Sequence, residues 1–314
     1  MQMSCEVSVL ICAYNEEENI PTLFERLYAT LETLNCEYEI VVVNDGSTDQ
    51  TLPLLKQIAQ RHPQLKIVNF VRNFGQHAAF AAGLEHVSGE RVVWMDADLQ
   101  DLPEMIPPLL DKHREGYPIV YAIRQERKDS WLRRMGSRYF FRLFNWLTQQ
   151  NLPANMSTFR VMSRQVVTEF LRLKERNRIS AGLIGWLGFP YGTVQVEHAE
   201  RHAGESKYTM LKLMRLVFDS IAGYSYIPLR FTTYAGGGIS FFAFLYVLFT
   251  IYRKLRYGFV VPGYATTIVC VLMLGGLQLM LMGVLGEYIG RILTEVQARP
   301  LFVVSDRINF KDEA

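Results

Sequence analysis

Short apolar runs alternate with stretches of helical periodicity through the first part of the chain. Residues 7–12, 38–43, 65–71 and 91–95 are nearly continuous in apolar character, the form a strand takes when both faces of its sheet are covered. Between them, residues 20–34 and 50–61 carry apolar side chains three and four apart, and residues 78–87 are rich in small side chains, so each segment predicts a helix. A further strand is predicted at 118–123. Four strands, each followed by a polar loop, predict an α/β sheet whose ligand crevice lies at the strands' carboxyl ends.

After Arg230 the pattern changes. Residues 231–252 contain no charge over 22 positions and residues 257–286 none over 30, both longer than the roughly 20 residues needed to cross a bilayer core. Neither run has a polar stripe, so two transmembrane helices are predicted in place of two core helices. Two more amphipathic segments flank this change. In residues 131–148, Arg134, Arg138 and Arg142 recur on one side while Met135, Tyr139, Leu143 and Trp146 cover another. That pattern suits either an anionic membrane surface or a core-packed helix with a solvated basic face. In residues 209–224, Lys212, Arg215 and Asp219 stand against Met210, Met214, Val217 and Ile221, an interfacial helix leading into the membrane.

Composition narrows the functional classes. A net charge of +2 over 314 residues is too mild for a nucleic-acid partner. Cys5, Cys12, Cys36 and Cys270 have no CxxC spacing, so neither a zinc site nor a disulfide framework is expected, and a reducing compartment is the simplest reading. No basic region precedes residues 7–14, which are too short for a signal-peptide core. The chain has no GxGxxG and no GxxxxGK[ST], and His198 and His202 stand in His-Ala-Glu-Arg-His, not HExxH.

The chemistry concentrates in residues 92–104, where an apolar run ends in Asp96 and Asp98. Two carboxylates at the end of a buried strand can hold Mg²⁺ or Mn²⁺ against the diphosphate of a leaving nucleotide, or can simply be solvated in a turn. Asn44 to Asp49 form a turn and helix-capping cluster, and Glu16 to Glu18 suit the positive end of the helix that follows.

Tyr14-Asn15-Glu16, Asn44-Asp45-Gly46-Ser47, Arg72-Asn73-x-Gly75 and Asp96-Ala97-Asp98-Leu99-Gln100-Asp101 together resemble glycosyltransferase family two. More narrowly they resemble its polyprenyl-phosphate branch, which includes the bactoprenol glucosyl, undecaprenyl-phosphate formamido-arabinose and dolichol-phosphate mannose transferases. The resemblance implies an α/β GT-A nucleotide-diphospho-sugar domain followed by two transmembrane helices. Its implied layout is a cytosolic catalytic domain at 1–205, an interfacial helix at 206–230, a membrane region at 231–290 and a cytosolic tail at 291–314.

By the same resemblance Ala13, Tyr14, Glu16, Asp45 and Asp96 would cradle the nucleotide, with Arg72 close by. Asp98, helped by Asp96, would hold the metal. Arg201, Ser206 and Lys207 lie in a stretch similar to the family's Ser-Lys-Tyr signature and would bind the acceptor phosphate, Lys207 together with Asp96 and Asp98 carrying the chemistry. Ser157 to Met162 resembles a segment that reads Gly-Asp-Phe-Arg-Leu-Met in many relatives, with Thr158 at the aspartate position.

The implied activity is metal-dependent, inverting transfer of one sugar from a nucleotide-sugar to polyprenyl phosphate, serving cell-envelope glycan or lipid A modification. A UDP-sugar of the glucose or formamido-arabinose type is expected. The alternatives are a non-catalytic membrane-bound sensor of sugar nucleotides, or a polysaccharide synthase, whose Gln-x-x-Arg-Trp motif is absent. Charge leaves the orientation open, because Arg253, Lys254 and Arg256 oppose Lys212, Arg215, Arg230, Arg291 and Arg299. Cytosolic supply of nucleotide-sugars places the catalytic domain inside, on a multi-pass protein of the cell inner membrane. The tail around residues 286–300 also resembles the family, whose members are often tetrameric.

Overall fold

The computed structural model describes residues 5–124, 153, 156–176, 180–196, 227–257 and 263–310. They fall into two units, one drawn from Met1–Met214 with Arg299–Ala314 and the other from Arg215–Ala298. The predicted helices at 131–148 and 209–224 lie outside the described residues.

The first unit alternates β1 (Val7–Ala13), α1 (Ile20–Glu32), β2 (Tyr38–Asn44), α2 (Thr51–Arg61), β3 (Leu65–Phe70), α3 (Gln76–His86), β4 (Arg91–Asp96) and α4 (Ile106–Arg114). It continues through β5 (Ile119–Arg124), β6 (Met156–Ser163), α5 (Arg164–Arg172), α6 (Ser180–Trp186), β7 (Tyr191–Val196) and β8 (Val304–Ile308). These strands form one eight-stranded sheet in the order β7-β5-β6-β4-β1-β2-β3-β8. The four strands β4, β1, β2 and β3 run parallel, while β6 and β8 pair antiparallel with β4 and β3. A mixed α/β sheet of this kind bears out the expected fold class.

Both faces of the central strands are dry. On one face Val9, Ile11, Ile40, Val42, Val93 and Met95 pack with Leu23, Phe24 and Leu27 of α1 and Leu109 of α4. Each such aliphatic side chain withdrawn from water contributes about 1.5–3 kcal/mol. α1 supplies its share because its apolar residues recur at i, i+3 and i+4, and Pro21 in its first turn removes an amide that would have no partner.

The small side chains of α3 have a packing reason. The helix lies so close to the sheet that a Cβ at Gly83 would stand 2.0 Å from Leu10 Cδ1. Phe80 then reaches Trp94, ring centroids 3.8 Å apart, and meets Phe170 edge-on at 5.3 Å.

The second unit holds α7 (Ile227–Tyr257) and α8 (Tyr264–Gln297). Their apolar windows, Gly236–Arg253 and Met273–Gln297, are long enough to cross a membrane, and neither is buried within the protein. At 1.5 Å per residue the shorter window spans about 27 Å, close to a bilayer core. Phe242 and Leu279 are each 70% exposed, an apolar surface that water alone does not support. Both helices extend beyond the uncharged runs, and residues 304–308, expected within a tail, instead close the sheet along β3.

At the opposite end of the strands from the crevice, Glu39 is 4% exposed. Its Oε1 accepts from Ser8 Oγ at 2.5 Å and Ser88 Oγ at 2.9 Å, and Oε2 from Lys66 Nζ at 2.6 Å. Burial pushes its pKa up, but Lys66, Ser8 and Ser88 outweigh burial and hold it below the usual range. Glu39→Ala is expected to lower unfolding free energy by about 2–4 kcal/mol, because Lys66 and two hydroxyls lose their acceptor. The folded-state pKa is depressed, so this stabilisation is present above about pH 4.3 and disappears as pH falls through the folded value. Denaturation at neutral and acid pH checks both; a variant as stable as wild type at pH 7 contradicts the assignment.

Candidate active site

The crevice forms where the chain reverses direction across the sheet. β1 pairs with β2 on one side and β4 on the other, with Ala13 opposite Asn44 and Cys12 opposite Asp96. Their carboxyl ends are therefore level, and the next residues enter one cleft at the switch point.

From the end of β1 comes Tyr14, 37% exposed, and the loop behind it is laced to the loop after β2. Asn15 N donates to Ser47 Oγ at 3.0 Å, Thr48 N to Asn15 Oδ1 at 2.9 Å and Glu16 N to Thr51 Oγ1 at 2.8 Å. The Glu16 carboxylate accepts from Asn19 Nδ2 at 2.7 Å, fixing the entry to α1.

Asp45, expected to meet the nucleotide, is buried and ties together backbone. Its two oxygens accept from Phe74 N at 2.7 Å and Gly75 N at 2.9 Å. Burial raises its pKa, opposed by those amides and by Arg72. Gly46, at φ 64°, lets this loop pass under Arg72, since a Cβ there would come within 2.3 Å of the Arg72 carbonyl carbon. The Arg72 guanidinium is exposed and lies 4.1 Å from the Phe74 ring centroid.

Asp96 and Asp98 are half-buried at the end of β4. Asp96 Oδ1 accepts from Gln76 Nε2 at 2.6 Å and Oδ2 from Thr158 Oγ1 at 2.7 Å. Asp98 Oδ1 accepts from Gln100 N at 3.1 Å, in a turn that puts Leu99 at φ 59°. Buried Asp101 accepts from Ser157 Oγ at 2.9 Å.

Behind these carboxylates lies Arg160, fully buried between Trp94 and Tyr121 with ring centroids 4.9 and 5.0 Å away. Its Nε donates to Thr158 O at 2.9 Å and its Nη2 to Ser157 O at 3.2 Å, bracing the two residues that meet Asp96 and Asp101. Burial pulls its pKa down, against Tyr121, Asp96 and Asp101.

Ala13, Tyr14, Glu16, Asp45, Arg72, Asp96 and Asp98 thus all follow or end the parallel strands, as expected. Arg201, Ser206 and Lys207 lie outside the described residues. Sequence reasoning missed Gln76 and the bracing role of Arg160. The only signal was their place in the sequence, Gln76 directly after the Arg72-Asn73-x-Gly75 string and Arg160 within the segment from Ser157 to Met162. Among the described residues no group of three or more His, Cys, Asp or Glu gathers to hold a metal. The Asp96 and Asp98 pair instead fits a hard cation that takes its remaining oxygen ligands from a substrate phosphate.

The sequence profile of Glycosyl transferase family 2 matches residues 8–171, and that of the GtrB C-terminal hairpin matches residues 227–292. The chain belongs to glycosyltransferase family 2. An uncharacterized glycosyltransferase of Synechocystis sp. is 43% identical to it, over 97% of this chain and 96% of that one. A prophage-derived bactoprenol glucosyl transferase of Shigella flexneri is 39% identical, over 95% of this chain and 97% of that one. Among solved structures, a glucosyl-3-phosphoglycerate synthase from Mycobacterium tuberculosis, crystallised with Mn²⁺, UDP and glucosyl-3-phosphoglycerate, superposes at a TM-score of 0.47 and 20% identity. That match covers 69% of this chain and 78% of that one.

In this glycosyltransferase His77 opens α3 beside the site, its Nδ1 3.0 Å from Ser180 Oγ. Burial, then Arg160, lowers its pKa. Below about pH 6.5 the unfolded chain takes up a proton that the folded site resists, so stability falls as pH drops, by up to about 1.4 kcal/mol per pH unit. Chemical denaturation at pH 5.5, 6.5 and 7.5 is expected to show this slope reduced in His77→Gln. An identical slope in both proteins assigns it elsewhere.

Proposed function

We propose that this family 2 enzyme transfers one sugar, with inversion, from a UDP-sugar to a polyprenyl phosphate such as undecaprenyl phosphate. The observation that carries the reading is the Asp96 and Asp98 pair at the switch point, in a chain that also holds two helices long enough to span a bilayer. Likeness to bactoprenol glucosyl transferases over nearly the whole length supports glucose as the sugar.

In the proposed reaction an oxygen of the lipid phosphate attacks the anomeric carbon from the face opposite the diphosphate. The new C–O bond forms as the bond to the diphosphate breaks, and the electron pair leaves on the diphosphate oxygen. Asp98, with Asp96, would hold Mg²⁺ or Mn²⁺, which supplies positive charge against the departing group. Gln76 and Thr158 orient Asp96 by donating to both its oxygens. Arg72, exposed over Phe74, is available to the nucleotide diphosphate.

A hydroxyl acceptor benefits from a general base, whereas a phosphate monoester with a second pKa of about 6 is already deprotonated at neutral pH. This is the reason we give for Thr158 standing where many members of the family carry an aspartate. Arg201, Ser206 and Lys207 are proposed to bind the acceptor phosphate. The acceptor is a membrane lipid, so we place the helix pair in the cell inner membrane and the catalytic domain on the cytosolic side; a homotetramer is carried over from the family resemblance alone.

Incubation with undecaprenyl phosphate and a panel of nucleotide-sugars, read by mass spectrometry, is expected to give glucosyl-phospho-undecaprenol from UDP-glucose. Formamido-arabinosyl product would move the enzyme to the neighbouring branch, and UDP-sugar binding without any transfer would support a sensor. Asp98→Asn should lower turnover at least about 10²-fold, the scale of losing one key electrostatic stabiliser. EDTA should do the same to wild type, reversibly with Mn²⁺. Full turnover in EDTA rules out the metal.

A further inference from the structure

The segment that follows the helix pair returns to the sheet beside the donor crevice. Val71 N donates to Val303 O at 3.1 Å, and β8 then pairs with β3 from Phe70 to Ile67. Two lines of contact run inward from it.

The first line is polar. Asn69 Nδ2 donates to Asp306 Oδ1 at 2.7 Å, and Asn44 Nδ2 donates to Asn69 Oδ1 at 2.7 Å. Lys56 Nζ holds the other Asp306 oxygen at 3.2 Å. An ionised carboxylate only accepts, so Asp306 requires Asn69 to present its NH₂; Asn69 must then face Asn44 with its carbonyl, and Asn44 must answer with its own NH₂. One carboxylate therefore sets the orientation of two amides in series. Asn44 is 1% exposed, and it is the residue directly before Asp45.

The second line is aromatic. Phe302 stacks on Phe70 with centroids 5.1 Å apart and planes 10° from parallel. Phe70 meets Phe74 edge-on at 5.7 Å, and Phe74 carries the Arg72 guanidinium on its face. The loop from Arg72 to Gly75 is thus held by Asp45 through two of its amides and by Phe70 against its aromatic ring, Phe302 backing Phe70 from the other chain segment.

We infer that Phe302 and Asp306 are positioning residues for the donor site, acting through Phe70–Phe74–Arg72 and through Asn69–Asn44–Asp45. The inference rests on the proposed reading of this crevice as the UDP-sugar site. Neither residue touches the reacting atoms. Their effect should therefore fall on donor affinity and leave the acceptor side alone.

The test uses the full chain in lipid nanodiscs, with UDP as the binding probe and UDP-glucose and undecaprenyl phosphate as substrates. Asp306→Asn keeps the shape but leaves the amide chain without a fixed direction. Phe302→Leu keeps apolar bulk without the stacked ring, which limits any folding defect, and Ser305→Ala on the same strand is the control.

Each of the two variants is expected to raise the UDP Kd and the UDP-glucose KM about three- to tenfold, the scale of one aromatic contact or one ordinary hydrogen bond. The undecaprenyl phosphate KM should not move, and Ser305→Ala should match wild type. A purely structural role would lower Tm and active fraction while leaving UDP Kd unchanged, and that result overturns the inference. Wild type that binds UDP and transfers sugar, with variants that do both equally well, refutes this inference alone. Wild type that does neither refutes the functional reading and this inference with it.

Discussion

The crevice at the carboxyl ends of the parallel strands depends on β1 being hydrogen-bonded in register along both edges. A strand paired on one side can slide, and a slip of one residue would exchange its core and opposite faces. With β2 and β4 both locked to β1, the residues beyond Ala13, Asn44 and Asp96 must emerge at one level. Tyr14, Asp45 and Asp98 then converge although they lie far apart in the chain. The close seat of α3 on the sheet belongs to the same constraint, because Gly83 lets the helix approach Leu10 and brings Gln76 within reach of Asp96.

Gathering three aspartates at the end of one strand is unfavourable unless each has donors of its own. Asp96 has Gln76 and Thr158, Asp98 has the Gln100 amide, and Asp101 has Ser157. Arg160 stands behind them as a cation that solvent cannot screen, its desolvation offset by two backbone carbonyls and two aromatic faces. An aspartate at position 158 would bring a carboxylate to the place from which Thr158 donates to Asp96. The threonine replaces that repulsion with a hydrogen bond.

The parallel half of the sheet was legible because its strands are apolar on both faces and end in polar loops, and their observed limits depart from the expected ones by only a residue or so. Asp96, Asp98 and Asp45 were legible through the motifs that contain them. β6 was not, since its apolar run is broken by Arg160, a charge that reads as a surface residue until Trp94 and Tyr121 are seen on either side. β8 was not, because five residues of alternating burial carry little signal and its partner lies over two hundred residues away. Asp45 shows a third limit. The motif marks the residue, but only the fold shows that both its oxygens are engaged by backbone amides.

The distance in sequence between β3 and β8 also orders events during synthesis. β3 ends at Phe70 and β8 begins at Val304, so about 230 residues must be made before that edge finds its partner. At roughly 5–20 residues per second, a ribosome leaves the outer edge of β3 without a partner for about 10–50 seconds. Such an edge can template pairing with another nascent chain. Both long apolar helices, Ile227–Tyr257 and Tyr264–Gln297, are translated within that interval. Delivery of those helices to a bilayer and completion of the sheet are thereby fixed in sequence, and the nascent domain must stay soluble with one edge open until the last strand arrives.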